Sequence, residues 1–312
     1  MKVTITGGCG FIGSHLVRRG IEERWKIVIY DNFSRFTPEH LTRHRELVSI
    51  VQGNIEDLEK VKETLRGSDV VFHLGGKSRA AGSIENPKEV FKTNVLGTYN
   101  VFEACRGTPA RIIFASSWVV YSKDHIGFGV RSSEEDTLGP TTPYGLSKLI
   151  GEEYGKLYNR LYDQDIISLR LSNVYGPGDK DRVIPTMTAR AMKGEPIRVD
   201  GDPRYVNFIY VDDVVDTLVS IAKSGIVKSR VYNIGTAESV NLKDLANMII
   251  RKCESSSSIQ MESMPPYEYE YYCPSIYLAR DELGFMPKVS LEKGLQQYLD
   301  SVPDRMRVHS HS

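Results

Sequence analysis

The opening stretch, Lys2-Val3-Thr4-Ile5-Thr6-Gly7-Gly8-Cys9-Gly10-Phe11-Ile12-Gly13, constrains the fold more than any other part of the chain. A short β-prone run ends at Thr6, glycines stand at positions 7, 10 and 13, and a helical pattern begins near Phe11. In a strand, tight turn and helix of this kind the turn needs residues without a Cβ, so that the backbone folds back and an anion can lie against it. The helix start then directs unpaired N–H groups and its positive dipole end at that anion. Glycine turns after strands are common, and a turn that binds nothing is the competing reading. Context favours binding, because the next β-prone run, 26–30, leads into Asp31, 18 residues after Gly13 and close to the spacing of a ribose-binding acid.

Short apolar runs alternate with helical stretches through the first half. The pattern predicts strands over 3–6, 26–30, 48–52, 70–74, 111–115 and 166–171, with helices near 11–23, 38–46, 56–66, 87–106 and 143–163. Near-continuous apolar strands separated by helices imply an α/β fold, a Rossmann-type doubly wound parallel sheet covered on both faces. Ligands on such a sheet bind at the carboxyl ends of the strands, which singles out the residues just after each strand.

Beyond Asn173 the chain is broken by Pro177, Pro185, Pro196 and Pro203 into shorter pieces. A helix is expected near 184–193, strands near 197–200 and 206–211, a helix over 212–224 capped by Asp212, and a strand over 231–234. Further helices are expected over 241–253, 278–284 and 291–299, around a stretch rich in tyrosine and proline at 261–277. The expected organisation is a nucleotide-binding domain over 1–173 and a smaller α/β substrate domain over 174–312, with segments near 206–235 returning to the first sheet.

Lysine plus arginine and aspartate plus glutamate number 40 each, so net charge is zero and no basic face for nucleic acid is expected. The short cluster Arg43-His44-Arg45 reads as solvated helix surface. The four cysteines are widely spaced, which argues against a disulfide framework or a metal site and fits a reducing cytosol. The N-terminus is itself the first strand, leaving no room for a signal peptide. No apolar run approaches the roughly 18 residues of a membrane helix. The frayed-looking end His309-Ser310-His311-Ser312 suggests no fixed role.

Tyr144 and Lys148 form a Tyr-x-x-x-Lys at the start of a predicted helix, where a spacing of four stacks both on one face. An ammonium beside a phenol favours the phenolate and draws the tyrosine below its ordinary value, making Tyr144 a candidate base for a hydroxyl proton. One such spacing among 17 tyrosines is expected by chance, so its position after the sheet strand that ends in Ser116-Ser117 carries the argument. A serine there can pass a proton between a substrate and the tyrosine, or simply cap the strand end.

Taken together, Thr6-Gly7-Gly8-x-Gly10-Phe11-Ile12-Gly13, Asp31-Asn32, His73-Leu74-Gly75-Gly76, Asn94-Val95-x-Gly97-Thr98, Ser116-Ser117-x-x-Val120-Tyr121 and Tyr144-x-x-x-Lys148 occur in the order of one superfamily. Arg170-x-Ser172-Asn173-Val174-Tyr175-Gly176-Pro177 and Phe208-Ile209-Tyr210-Val211-Asp212-Asp213 continue it. The chain resembles the extended short-chain dehydrogenase/reductases that act on nucleotide sugars, above all UDP-glucose 4-epimerase-like proteins. The resemblance implies a 4-epimerase with NAD contacted by Gly7, Gly10, Phe11, Ile12 and Gly13, with the adenosine ribose at Asp31 and Asn32 and the adenine at Asn54 and Ile55. It places Leu74, Gly75, Gly76 and Lys77 along the cofactor, with polar contacts from Asn94, Tyr144 and Lys148. Ser117, Tyr144 and Lys148 match the catalytic residues, Asn173 matches a sugar-nucleotide contact, and a homodimer through the helices over 87–106 and 143–163 is implied.

Ionised Asp31 favours NAD over NADP because it repels a 2′-phosphate. Where dehydratases carry an acid soon after the serine, this chain has Trp118, Val119 and Val120, which disfavours dehydration. Val206 stands where a phosphate-binding arginine is expected, with Arg204 on the same strand face as its candidate replacement. The region 265–270 stands in place of a later Arg-x-Gly-Asp. A net oxidoreductase on another carbonyl substrate and a non-catalytic NAD-binding relative are the alternatives.

Overall fold

The computed structural model describes residues 1–38, 41 and 48–303. The helix expected near 38–46, its basic cluster at 43–45 and the tail at 309–312 fall wholly or largely outside these residues. The first half runs β1 (Lys2–Thr6), α1 (Phe11–Glu22), β2 (Lys26–Asp31), β3 (Val48–Gln52), α2 (Leu58–Leu65) and β4 (Val70–His73). It continues through α3 (Ala80–Glu85), α4 (Pro87–Val90), α5 (Gly97–Cys105), β5 (Arg111–Ser117), α6 (Pro143–Tyr162) and β6 (Ile166–Leu171). The second half comprises β7 (Asn173–Tyr175), α7 (Val183–Met192), β8 (Ile197–Asp200), β9 (Tyr205–Val206), β10 (Phe208–Tyr210), α8 (Val211–Lys223) and β11 (Val231–Ile234). It ends with β12 (Val240–Asn241), α9 (Leu242–Lys252), β13 (Ile259–Glu262), α10 (Tyr277–Leu283) and α11 (Leu291–Ser301).

Among the described residues, seven parallel strands form one sheet in the order β11-β6-β5-β4-β1-β2-β3. The chain leaves β1 toward β2 and β3, then crosses back to β4, so the crevice between the carboxyl ends of β1 and β4 is the topological switch point. The strands are apolar along their length because both faces are covered; β4 and β6 are buried at every residue. One face packs Tyr30, Val71, Ile112 and Phe114 against Val61 of α2 and Val101 and Phe102 of α5. The other face joins a larger cluster that runs through α1 and α8 into the second half.

Three local expectations need correction. The stretch 87–106 is not one regular helix, since Phe91–Leu96 winds as a π-helix between α4 and α5. The strand near 206–211 is split into β9 and β10 at Asn207, whose buried side chain donates to the carbonyls of Thr236 (2.9 Å) and Glu238 (2.7 Å). Asp212 does not cap α8; the cap is Tyr210, and Asp212 and Asp213 lie in the first turn. Asp213 instead accepts from the backbone N–H groups of Lys288 (2.9 Å) and Val289 (3.1 Å), tying the C-terminal segment to α8. Apolar residues of the stretches 87–106 and 143–163 point both ways: Val90, Val101 and Phe102 are buried, whereas Phe91, Leu96, Leu146 and Leu161 are exposed.

The helix α6 matters most for the site. Thr142 caps it through Oγ1, which accepts from Gly145 N at 3.1 Å, and Pro143 occupies its first turn. Gly151 lets it lie close on the sheet: a Cβ there would stand 2.7 Å from Cζ of Phe114. Gly151→Ala should therefore push α6 off β5 and cost about 1–3 kcal/mol, the range for overpacking a filled core. Denaturant unfolding checks this, and a wild-type midpoint would show that the helix has room to spare.

Candidate functional site

The turn between β1 and α1 is closed by Gly10 N donating to Gly7 O at 3.0 Å, with Gly7 at φ +70°. A Cβ on residue 13 would stand 2.3 Å from Gly7 O, so the close approach of helix to turn depends on glycine there. The N-terminus of α1 has no side-chain cap and no acidic residue in its first turn, which leaves its N–H groups and dipole to an anion. At the end of β2, Asp31 accepts from Cys9 N (3.0 Å) and Phe33 N (2.9 Å), and these bonds hold the carboxylate on the cleft wall. Burial and the nearby Asp31 charge push the Cys9 thiol up to about 12, so it stays protonated.

One cleft of about 680 Å³ runs along the carboxyl ends of the strands. Of the residues singled out in the sequence, Gly7, Gly10, Phe11, Ile12, Gly13, Asp31, Asn32, Ile55, Leu74, Gly75, Gly76 and Lys77 line one side of it. Ser117, Tyr144, Lys148, Asn173 and Arg204 line the remainder. Asn54 and Asn94 are not on the wall. Asn54 supports it from outside, accepting from Asn32 Nδ2 at 2.7 Å. Asn94 is buried and braces the Lys77 loop, accepting from Lys77 N (2.8 Å) and donating to Lys77 O (2.9 Å) and Ser147 Oγ (3.0 Å). An uncapped helix start, a fixed carboxylate at the end of the second strand and an apolar wall at Ile55 suit the pyrophosphate, ribose and adenine of a dinucleotide in turn.

Ser117 ends β5, and Tyr144 and Lys148 rise from the first turns of α6 beside it. Lys148 Nζ donates to Ala115 O at 2.8 Å and lies over the Phe114 ring, 4.9 Å from its centroid; its distance to the Tyr144 centroid is 5.9 Å. Burial draws the Lys148 ammonium down to about 8. The same burial, with the Lys148 charge, draws His73 down to about 3, so this imidazole is neutral and serves as a hydrogen-bond bridge between Thr6 Oγ1 (2.8 Å) and Thr98 Oγ1 (2.9 Å). The expectation of a lowered Tyr144 is not met. Burial raises its phenol above the ordinary value, and the opposing pull of the Ser117 hydroxyl and the Arg182 charge is smaller.

On the far side, Asn173 donates from Nδ2 to Asn207 O at 3.1 Å. Arg204 does reach the cleft, but its guanidinium is engaged by Glu268 Oε2 at 2.6 Å and lies 3.7 Å from Asp200 Oδ2. Glu268 belongs to the 265–270 region that replaces the expected arginine motif. Tyr269 from the same segment lines the cleft, and Tyr272 stacks on Trp118 with centroids 4.4 Å apart. Sequence reasoning missed Arg182 and Asp179, which pair at 3.0 Å in the cleft, with the Arg182 guanidinium over the Phe11 ring. A charge pair three residues apart at a helix start was the available signal, and such pairs are too common to stand out.

A family model described as the NAD dependent epimerase/dehydratase family matches residues 3–235. A Methanocaldococcus jannaschii protein provisionally named a UDP-glucose 4-epimerase is 32% identical, over 98% of this chain and 99% of its own length. The solved UDP-glucose 4-epimerase of Thermotoga maritima with UDP-glucose superposes with a TM-score of 0.89 at 28% identity, over 96% of this chain and 98% of that one. The Thermus thermophilus UDP-glucose 4-epimerase in complex with NAD gives a TM-score of 0.87 at 27% identity, over 96% and 98%.

Proposed function

We propose that this chain, which belongs to the NAD dependent epimerase/dehydratase family, is a nucleotide-sugar 4-epimerase acting on a UDP-hexose. Its cofactor is NAD. The observation that carries the reading is the convergence of Ser117, Tyr144 and Lys148 on one cleft, followed by a turn, Trp118–Val120, that holds no acid. Elimination of water would call for an acid there, and inversion does not. In the same reading residues 1–173 hold the cofactor and 174–312 the sugar nucleotide.

NAD bound in the cleft supplies reversible two-electron redox chemistry at the sugar C4. The chain's own residues handle the proton and the geometry. The Tyr144 oxygen takes the C4 hydroxyl proton, with the Ser117 hydroxyl as the relay between sugar and phenol. Because Tyr144 must be a phenolate to accept that proton while its burial favours the phenol, Lys148, anchored on Ala115 O, supplies the positive charge that stabilises the phenolate before the proton arrives. Returning the proton from Tyr144 completes the cycle with C4 inverted and no net oxidation. Asn173 and Arg204 are assigned to the sugar nucleotide; for Arg204 this means exchanging Glu268 for a phosphate oxygen.

The outward apolar residues Phe91 and Leu146 flank a groove between α4 and α6 that includes Pro87, Val95 and Ile150. We assign this face to a homodimer of a cytosolic enzyme. Light scattering at micromolar concentration should give twice the chain mass, and Leu146→Asp should give the monomer; a monomeric wild type contradicts the assignment.

The activity is tested by incubating the purified protein with UDP-glucose, UDP-galactose and their N-acetyl and uronate analogues. One C4 epimer pair should interconvert with no net change in NADH absorbance. Tyr144→Phe should keep its bound NAD and lose at least about 100-fold in kcat. Stoichiometric NADH release would point to a net oxidoreductase, and bound NAD with no conversion of any sugar would point to a non-catalytic relative.

A further inference from the structure

The deepest ion pair among the described residues lies directly behind the reacting face of α6. Glu152 is fully buried and Arg170 is 1% exposed. Arg170 donates from Nη2 to Glu152 Oε2 at 2.8 Å and from Nε to both carboxylate oxygens at 3.1 and 3.2 Å. Ser116 Oγ, itself buried, donates to Glu152 Oε1 at 2.5 Å. Arg170 is held in turn by Tyr121 OH at 2.9 Å and Glu134 O at 3.0 Å. Two charges withdrawn this far from water are costly and persist only where every polar atom is satisfied, so their place in a fold calls for an explanation beyond stability.

That place is specific. Tyr144, Lys148 and Glu152 follow at intervals of four on α6 and so share one helix face. The same stretch of β5 meets two of them: Ala115 O receives Lys148 and Ser116 Oγ holds Glu152, with Ser117 next in the chain. We propose that Glu152 is a positioning residue for the reaction: clamped by Arg170 and Ser116, it locks α6 onto the end of β5 and fixes a negative charge one turn from the Lys148 ammonium. The proposal rests on reading Tyr144 and Lys148 as the reacting pair.

Among the described residues, Glu152 is the one acid whose charge acts on Lys148. From α6 Tyr144 lies beside Lys148 and Glu152 acts on it through space from one turn away, from β5 it meets the Phe114 ring and the Ala115 carbonyl, and the neutral His73 of β4 feels its charge. Arg170 on β6 lies beyond Glu152 and is neutralised by it. Burial drives the Lys148 ammonium down and Glu152 opposes that. Without Glu152 the ammonium would be lost at lower pH.

Competitive labelling with acetic anhydride, read at Lys148 by mass spectrometry across pH, tests this with no sugar substrate present. Wild-type Lys148 should titrate near pH 8. Glu152→Gln should move that midpoint down by about 1 pH unit, the usual size of a single nearby charge. Because Glu152→Gln leaves Arg170 buried and unpaired, Glu152→Leu with Arg170→Leu is the companion variant: it removes both charges, keeps apolar packing, and should show a downward shift smaller than that of Glu152→Gln, since the more distant Arg170 charge is lost as well. An unchanged midpoint in either folded variant overturns the proposal. Failure of both variants to fold also overturns it, since the pair would then be a requirement of the fold and not of the site. A shifted midpoint in a protein that epimerises no sugar would uphold the Glu152–Lys148 coupling while the catalytic reading itself fails.

Discussion

The carbonyl oxygen of Gly7 occupies the space that a Cβ on residue 13 would need, and the rest of the site follows from that contact. It brings the start of α1 against the end of β1, which lies inside the sheet between β4 and β2. The uncapped helix end thereby opens onto the switch-point crevice, where β2 delivers Asp31 on one side and β4 and β5 deliver Gly75 to Lys77 and Ser117 on the other. The helix α6 completes the arrangement, because Gly151 allows it to press on Phe114 and so sets Tyr144 and Lys148 over the end of β5. Close packing on both sides of the crevice converts a flexible chain into a site with fixed distances.

Electrostatics divides the cleft into two regimes. Along the dinucleotide side the chain offers backbone N–H groups, a helix dipole and one fixed carboxylate, all in place before any ligand arrives. On the opposite side Arg182 is already matched with Asp179 and Arg204 with Glu268, and at the rim Arg35 pairs with Asp181 at 3.0 Å. The buried Asp179 keeps one oxygen unpartnered, and burial raises its carboxyl above the ordinary range. In the proposed reading a diphosphate on this side trades one anion for another at Arg204, so the net gain is smaller than for an unpaired arginine. On that reading, shape and hydrogen bonds to the sugar supply much of the discrimination.

The fold was legible because its signals are local and repeated. Apolar strands at regular intervals gave the first six sheet strands with shifts of a residue or two at their ends, and the glycine turn marked the cleft. Tyr144, Lys148 and Ser117 were legible because a spacing of four and a strand end are geometric statements in themselves. The misses are tertiary. Nothing in 87–106 announces a π-helical turn, and Asn207 splits a strand only because carbonyls from 236 and 238 reach its amide. The tyrosine was expected to be drawn down by its lysine, yet burial of the phenol outweighs the neighbouring charges. Arg204 was expected to replace a phosphate-binding arginine, and its partner Glu268 lies 64 residues away, beyond the reach of any local pattern.

The proposed reaction makes one demand that no net redox enzyme shares: the hydrogen removed from C4 must return to the sugar it left. A UDP-hexose deuterated at C4, mixed with an equal amount of unlabelled sugar carrying carbon-13 elsewhere, separates the cases by mass spectrometry of the epimer formed. The account predicts that deuterium is retained at C4 of the inverted sugar with no crossover into the carbon-13 molecules. Deuterium appearing in solvent, in free cofactor or in the carbon-13 epimer would contradict it.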